Sequence, residues 1–218
     1  MDLNQIHDNW KQFTDRAFTL ITRPGIKDLM EWLINTDFPK APASTRFHGA
    51  EWGGLCAHSL NVHNNLVRFA EDYLNPADYK NLPESVAIVS LFHDLCKVNV
   101  YESSQRNVKS YDIDDIRAAD DWQVKHDARG NFVWKTVDGF KYNDKFPYGH
   151  GEKSVLLIQR FMTLEDYEAM AIRYHMGATI ETDSYNNSGK AFSLYPLAFW
   201  NHIADYKAGC LDESEPGD

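Results

Sequence analysis

Residues 91–97 read LFHDLCK. His93 and Asp94 stand side by side in a stretch that is mostly apolar from Val86 to Val98. A buried imidazole beside a buried carboxylate is costly unless each finds a partner. Two readings meet that cost. In one, His93 is a hydrogen-bonded core residue and Asp94 pairs with Lys97. In the other, the pair holds a metal ion. The choice decides the fold as well: a helix that merely fills a core, or one of several helices that aim ligands at a common centre.

The immediate surroundings read as helix. From Glu84 to about Val98, the residues Val86, Val89, Phe92 and Leu95–Cys96 fall on one side, facing a core. Neighbours on a helix are about 100° apart, so His93 and Asp94 can still bend toward one point. Lys97, four residues after His93 and three after Asp94, shares their face. Cys96 reads as core packing. Upstream, a helix should run from near Gly54 to about Leu74, with Leu55, Val62, Leu66 and Phe69 on its inner stripe, and Asn75-Pro76 ends it. Leu3, Ile6, Trp10, Phe13, Ala17 and Leu20 mark a helix over 3–21, broken by Pro24-Gly25; a short one with Ile26, Leu29, Met30 and Leu33 follows. DFPKAPAST (37–45) is a loop.

Downstream the character changes. Residues 99–149 open with a polar stretch, and WQVKHDARGNFVWKTVDGFKYND has short aromatic and β-branched runs split by Arg-Gly-Asn and Asp-Gly. That pattern predicts a two- or three-stranded hairpin or meander at about 120–145. Helical signals return at 150–162, then again after Thr163 as far as Met176, where Gly177 is a good terminator. Residues 178–193 look like loop, and Pro196 opens a last helix reaching about Leu211. The fold class is therefore mostly α. One helical domain is expected over 1–211, with the helices of 1–40 packed on its core, an insertion at 99–149 and a frayed tail at 212–218.

More polar residues point inward on these helices. His58 lies between Leu55 and Val62, and Asp205 is four after Asn201 and eight after Leu197. His175 ends its helix, and His150 starts one in YGHGEKS (148–154). Any one of them reads as a satisfied core residue. Four imidazoles and two carboxylates directed into one bundle, with few cationic partners, are expensive unless a cation sits among them. One or two divalent metals would satisfy all six.

Composition narrows the partners. The chain has 218 residues, 43% hydrophobic and 13% aromatic, and a net charge of −10. Long nucleic acid is disfavoured, because its binding rests on cationic neutralisation of phosphates. The insertion is the exception: Lys97 to Lys153 holds ten Lys/Arg and ten Asp/Glu, against twelve and twenty-two elsewhere. Cys56, Cys96 and Cys210 lack CxxC spacing and read as reduced thiols, and no stretch reads as a secretion signal or a membrane span. A cytoplasmic location is expected, with no membrane partner; the oligomeric state is open.

The segments GGLCAHSLNV (53–62), LFHDLCK, YGHGEKS, IRYHMG (172–177) and HIADYKA (202–208) resemble, in order and in flanks, those of the HD-domain metal-dependent phosphohydrolases. The likeness covers roughly residues 40–210 and is closest to a short bacterial and phage subgroup that carries a DF..APAST segment before the GGL segment. It implies that His58, His93, Asp94 and Asp205 hold one metal. Asp94 would bridge to a second, completed by His150 and His175. The set suits Mn, Fe, Co, Ni or Zn, with Mg possible. The implied activity is hydrolysis of a small phosphate ester, such as a nucleotide, by a metal-activated hydroxide. Monoester and diester substrates both stay open. Asp94 and Lys97 would be catalytic. Lys97 would reach a phosphate oxygen, with Lys153, Arg173, Arg46 and His48 as further substrate-binding candidates. The aromatic insertion would either cover the site and stack on a base or bury its rings on the helical body. Two alternatives stand beside it: a di-iron oxygenase, which the same ligand order fits, and a nucleotide-binding sensor without turnover, against which the intact ligand set argues.

Overall fold

The computed structural model describes residues 1–177 and 182–213, with the backbone alone for 182–185. Among the described residues there are nine α-helices and a three-stranded sheet, so the chain is mostly α. None of these helices is long and apolar enough to cross a membrane.

Helices α1 (Leu3–Leu20) and α2 (Ile26–Ile34) follow the apolar spacing closely. Asp2 caps α1 by accepting from the Gln5 N–H, and Gln5 returns the bond. Phe13 on α1 meets Phe38 and Phe92 at centroid distances of 5.0 and 5.6 Å, which seats the N-terminal helices on the core. Two helices form the centre of the molecule, α3 (Gly54–Tyr73) and α4 (Leu82–Phe92). Gly53 and Gly54 start α3 under tight packing: a Cβ on Gly54 would stand 2.1 Å from the Gly49 carbonyl oxygen. Helix α6 (His150–Gln159), α7 (Asp166–Arg173) and α9 (Pro196–Lys207) complete the bundle, with α9 packed on both α3 and α7.

A buried ion network clamps three of these elements. Arg23, just before α2, donates from its two terminal nitrogens to Glu168 of α7 at 2.5 and 2.9 Å. Glu84 in the first turn of α4 accepts from the backbone N–H groups of Thr22 and Arg23 at 2.7 and 2.9 Å. Ser85 donates to Glu168 at 2.6 Å, so each buried carboxylate is paired.

Several expectations are corrected. Helix α4 ends at Phe92 rather than Val98. Asp94 leaves helical geometry at φ −103°, ψ 21°, and a tight 3-10 turn covers Leu95–Lys97. The sheet starts well before residue 120. Strand β1 (Tyr101–Ser110) pairs antiparallel with β3 (Gly130–Tyr142) along its whole length, and β2 (Lys125–Asp127) adds to the other edge. Asp138-Gly139 is therefore strand, not a turn; Gly139 faces Ser104, and the Arg106 side chain packs over it. A short helix α5 (Ile113–Ala118), capped by Asp112, lies between β1 and β2. Helix α7 is capped by Glu165 rather than Thr163 and stops at Arg173, which leaves His175 in the following turn.

Residues 182–193, expected as loop, belong to α8 (Thr182–Leu194); 178–181 lie outside the described residues. Their propensity is poor, but packing on α9 overrides it: Ala191 is buried and Phe192 stacks on His202 at 5.5 Å. The tail is not frayed at its start. A π-helical turn spans Ala208–Asp212, Asp212 accepts from Asn65 at 2.8 Å, and Glu213 reaches α3. Residues 214–218 lie outside the described residues.

Candidate metal centre

Five elements bring the predicted ligands together. His58 comes from mid-α3, His93 and Asp94 from the end of α4, His150 from the first residue of α6, His175 from the turn after α7, and Asp205 from α9. The early end of α4 matters here. With Asp94 outside the helix, its carboxylate and the His93 ring face the same point, which continuous helix would have held about 100° apart.

Asp94 stands at the middle. Its Oδ2 is 3.7 Å from His58 Nε2, 3.4 Å from His93 Nε2 and 2.7 Å from Lys97 Nζ. Its Oδ1 is 2.9 Å from His150 Nε2 and 3.4 Å from His175 Nε2. The two oxygens thus face separate pairs of imidazoles. Asp205 Oδ1 closes the first side, 3.0 Å from His58 Nε2 and 3.8 Å from His93 Nε2. His175 belongs to both sides, since it also clusters with His93 and Asp205 with ligand atoms within 4.8 Å.

The far nitrogens of the rings fix which atom faces the acids. His93 Nδ1–H donates to the Ser90 carbonyl at 2.7 Å, and His175 Nδ1–H to the Ile172 carbonyl at 2.6 Å. A carbonyl oxygen only accepts, so each proton sits on Nδ1 and a neutral ring presents its Nε2 lone pair inward. His58 is flanked by acids at both nitrogens, Nδ1 3.0 Å from Glu213 Oε1 and Nε2 3.0 Å from Asp205 Oδ1, so it donates from both. His150 differs: its Nδ1 lies 3.3 Å from Cys96 Sγ. Cys96 thus abuts the centre rather than only filling core, and it groups with Asp94 and His150.

Lone pairs facing carboxylates call for positive charge. His175 Nε2 is fully buried and has no hydrogen-bond partner among the described residues. Burial by itself would raise the Asp94 and Asp205 carboxyls, but both are held below the usual carboxylate range. Lys97 and His93, His150 and His175 act on Asp94, and His58, His93 and His175 act on Asp205. Burial opposes a charge on His58 as well, yet Asp205 and Glu213 lift it to about 10. An orphaned nitrogen, anchored rings and ionised acids together fit a metal ion: the grouped side chains can hold one.

A cavity of about 430 Å³ opens onto this centre. Lys97, His150, His175 and Asp205 line it, and Tyr101 and Tyr142 at the base of the hairpin form one wall. His48 also lines it, its ring 4.9 Å from that of His58. Burial, with His58 and Lys97 nearby, pushes His48 below its ordinary value. The other substrate-binding candidates are placed elsewhere. Lys153 is buried against Asp144 at 2.7 Å, beside a second cavity behind His150. Arg173 pairs with Glu152 at 2.8 Å and donates to the Tyr174 hydroxyl, and Arg46 is exposed. None of the three lines the cavity, where Lys97 is the single Lys or Arg among the described residues. Trp122, Phe132, Trp134 and Phe140 do not line it either; of the insertion's aromatics, Tyr101 and Tyr142 do.

Three residues at the centre carry no functional assignment from the sequence, in which Cys96 reads as core packing. Glu213 sits in an acidic tail that looks solvated, Cys96 carries no spacing signal, and His202 is one of several unassigned histidines. His202 donates from Nδ1 to the His175 carbonyl at 2.6 Å and lines the cavity. No family model, no curated protein and no solved structure matches this chain.

Proposed function

We propose that the chain is a metal-dependent phosphohydrolase acting on a small phosphate ester, a nucleotide in the first instance, as its resemblance to HD-domain enzymes suggests. One observation carries the reading. The two oxygens of Asp94 face different imidazole pairs, the arrangement of a carboxylate shared between two cation positions. His58, His93, Asp94 and Asp205 would hold one divalent ion, and Asp94, His150 and His175 a second. The ions, drawn from Mn, Fe, Co, Ni, Zn or Mg, would supply Lewis acidity to phosphoryl oxygens and make a water ionisable near neutral pH.

The chain's own groups do the rest. Lys97 Nζ rests 2.7 Å from Asp94 Oδ2 at the cavity wall, from where its charge can turn to a phosphate oxygen once Asp94 is otherwise neutralised. Tyr101, fixed by donating to the Ala43 carbonyl at 3.1 Å, and Tyr142 offer an aromatic face for a base. A volume of about 430 Å³ lies toward the small end of the range of about 300–1,000 Å³ for ligand pockets, which favours one nucleotide over a polymer.

The test is metal analysis of the purified protein, then a screen of nucleotides, cyclic nucleotides and dinucleotides with Mn, Co, Ni, Fe and Mg. Asp94→Ala should lose both metal and turnover while keeping its far-ultraviolet circular dichroism. Wild-type metal content in that variant would refute the shared-carboxylate role. Metal-loaded protein that consumes O₂ but hydrolyses no phosphate ester would refute the activity.

A further inference from the structure

His58 is buried at the heart of the centre, and its outer nitrogen is held by a residue 155 positions away. Glu213 Oε1 and Oε2 lie 3.0 and 3.1 Å from His58 Nδ1. Asn61, one helical turn along α3, donates to the same Oε1 at 2.9 Å and fixes the carboxylate. The turn that delivers Glu213 is itself tied down. Asp212 takes bonds from Asn65 at 2.8 Å and from Lys207 at 2.6 and 2.9 Å. Gly209 lets the turn pass over His48, where a Cβ would stand 2.9 Å from the ring Nδ1.

From this geometry we propose that Glu213 is a positioning residue for the metal centre, and that metal retention and docking of the C-terminal turn stabilise each other. The proposal rests on the metal-centre reading above. An ionised carboxylate only accepts, so it keeps the His58 proton on Nδ1, leaves the Nε2 lone pair for a cation and makes the ring a stronger donor to it. Linkage works both ways: whatever Glu213 adds to metal affinity, bound metal adds to the docking of Ala208–Glu213.

The experiment uses the full chain, with metal affinity measured by chelator competition with Mn and Zn. Glu213→Ala should weaken binding about 10- to 100-fold, the usual cost of removing a group that orients a ligand. Glu213→Gln keeps an acceptor but loses the charge and should fall between. The second readout is limited trypsinolysis at Lys207: metal should protect this bond in the wild type and less in Glu213→Gln. A purely structural role would change cleavage equally with and without metal. Should Glu213→Ala not fold, Glu213→Gln decides, and affinity within twofold of wild type overturns the proposal. Wild-type protein that holds no metal defeats the metal-centre reading instead.

Discussion

At the scale of residues, Lys97 separates two functions that one contact conflates. It neutralises Asp94 at 2.7 Å, and burial notwithstanding, Asp94 holds its ammonium above the ordinary lysine value. If that pairing were its whole purpose, Lys97→Met would cost stability or metal and little else. As a phosphate-facing charge, its loss should lower kcat by about 10²- to 10³-fold, the range for removing one group that stabilises developing negative charge. Metal content should stay near wild type, since Lys97 contributes no ligand. Single-turnover kinetics with parallel metal analysis would separate the two, and a fall in metal with unchanged kcat per bound metal would rule out the substrate role. Six residues of this centre were legible in the sequence, because imidazoles and acids at inward helix positions are costly to bury unless a cation joins them. Glu213 and Cys96 were not. An acid among DESEPGD looks like any solvated terminus, and a cysteine two residues past Asp94 follows the apolar pattern of a core.

At the scale of elements, apolar periodicity located α1, α2, α3 and α4, whose buried faces carry the pattern. It failed where tertiary contact outweighs local preference. Strand β1 reads YESSQRNVKS and has little β-propensity of its own; its pairing with β3 supplies the order. Helix α8 depends likewise on α9. Even the α3–α4 contact holds a polar surprise. His63 is buried, and its Nδ1–H donates to Ser90 Oγ at 2.9 Å, because the Ser90 hydroxyl hydrogen is taken by the Val86 carbonyl. Burial, and secondarily Arg16, pushes His63 down to about 4, against about 6.5 in an unfolded chain. Between those values the unfolded state binds the extra proton. Stability should therefore fall as the pH drops from about 6.5 to 4, by on the order of 3 kcal/mol from this group. Urea titrations at pH 7, 5.5 and 4.5 should show the loss. In His63→Gln the slope should be shallower; an unchanged slope would assign the acid sensitivity to other groups.

At the scale of the whole molecule, a net charge of −10 surrounds a cavity whose walls carry one lysine among the described residues. Arg46, Arg173 and Lys153 do not line it to offset the field. An anionic substrate must therefore approach against long-range repulsion and gain its attraction only at close quarters. Salt changes these two contributions unequally. At about 10 mM ionic strength the screening length is about 30 Å, larger than the radius of gyration of about 17 Å expected for a chain of this length, so all the charges act together. At about 150 mM it shrinks to about 8 Å, and mainly the local groups remain. The value of kcat/KM for a nucleotide should accordingly rise severalfold over that range, with kcat nearly constant. Enzymes that steer anions through a basic funnel show the reverse. A kcat/KM that falls steadily with added salt would mean that the centre, charged with its metal ions, projects a positive field beyond the cavity mouth, and that the protein's overall acidity does not govern substrate capture.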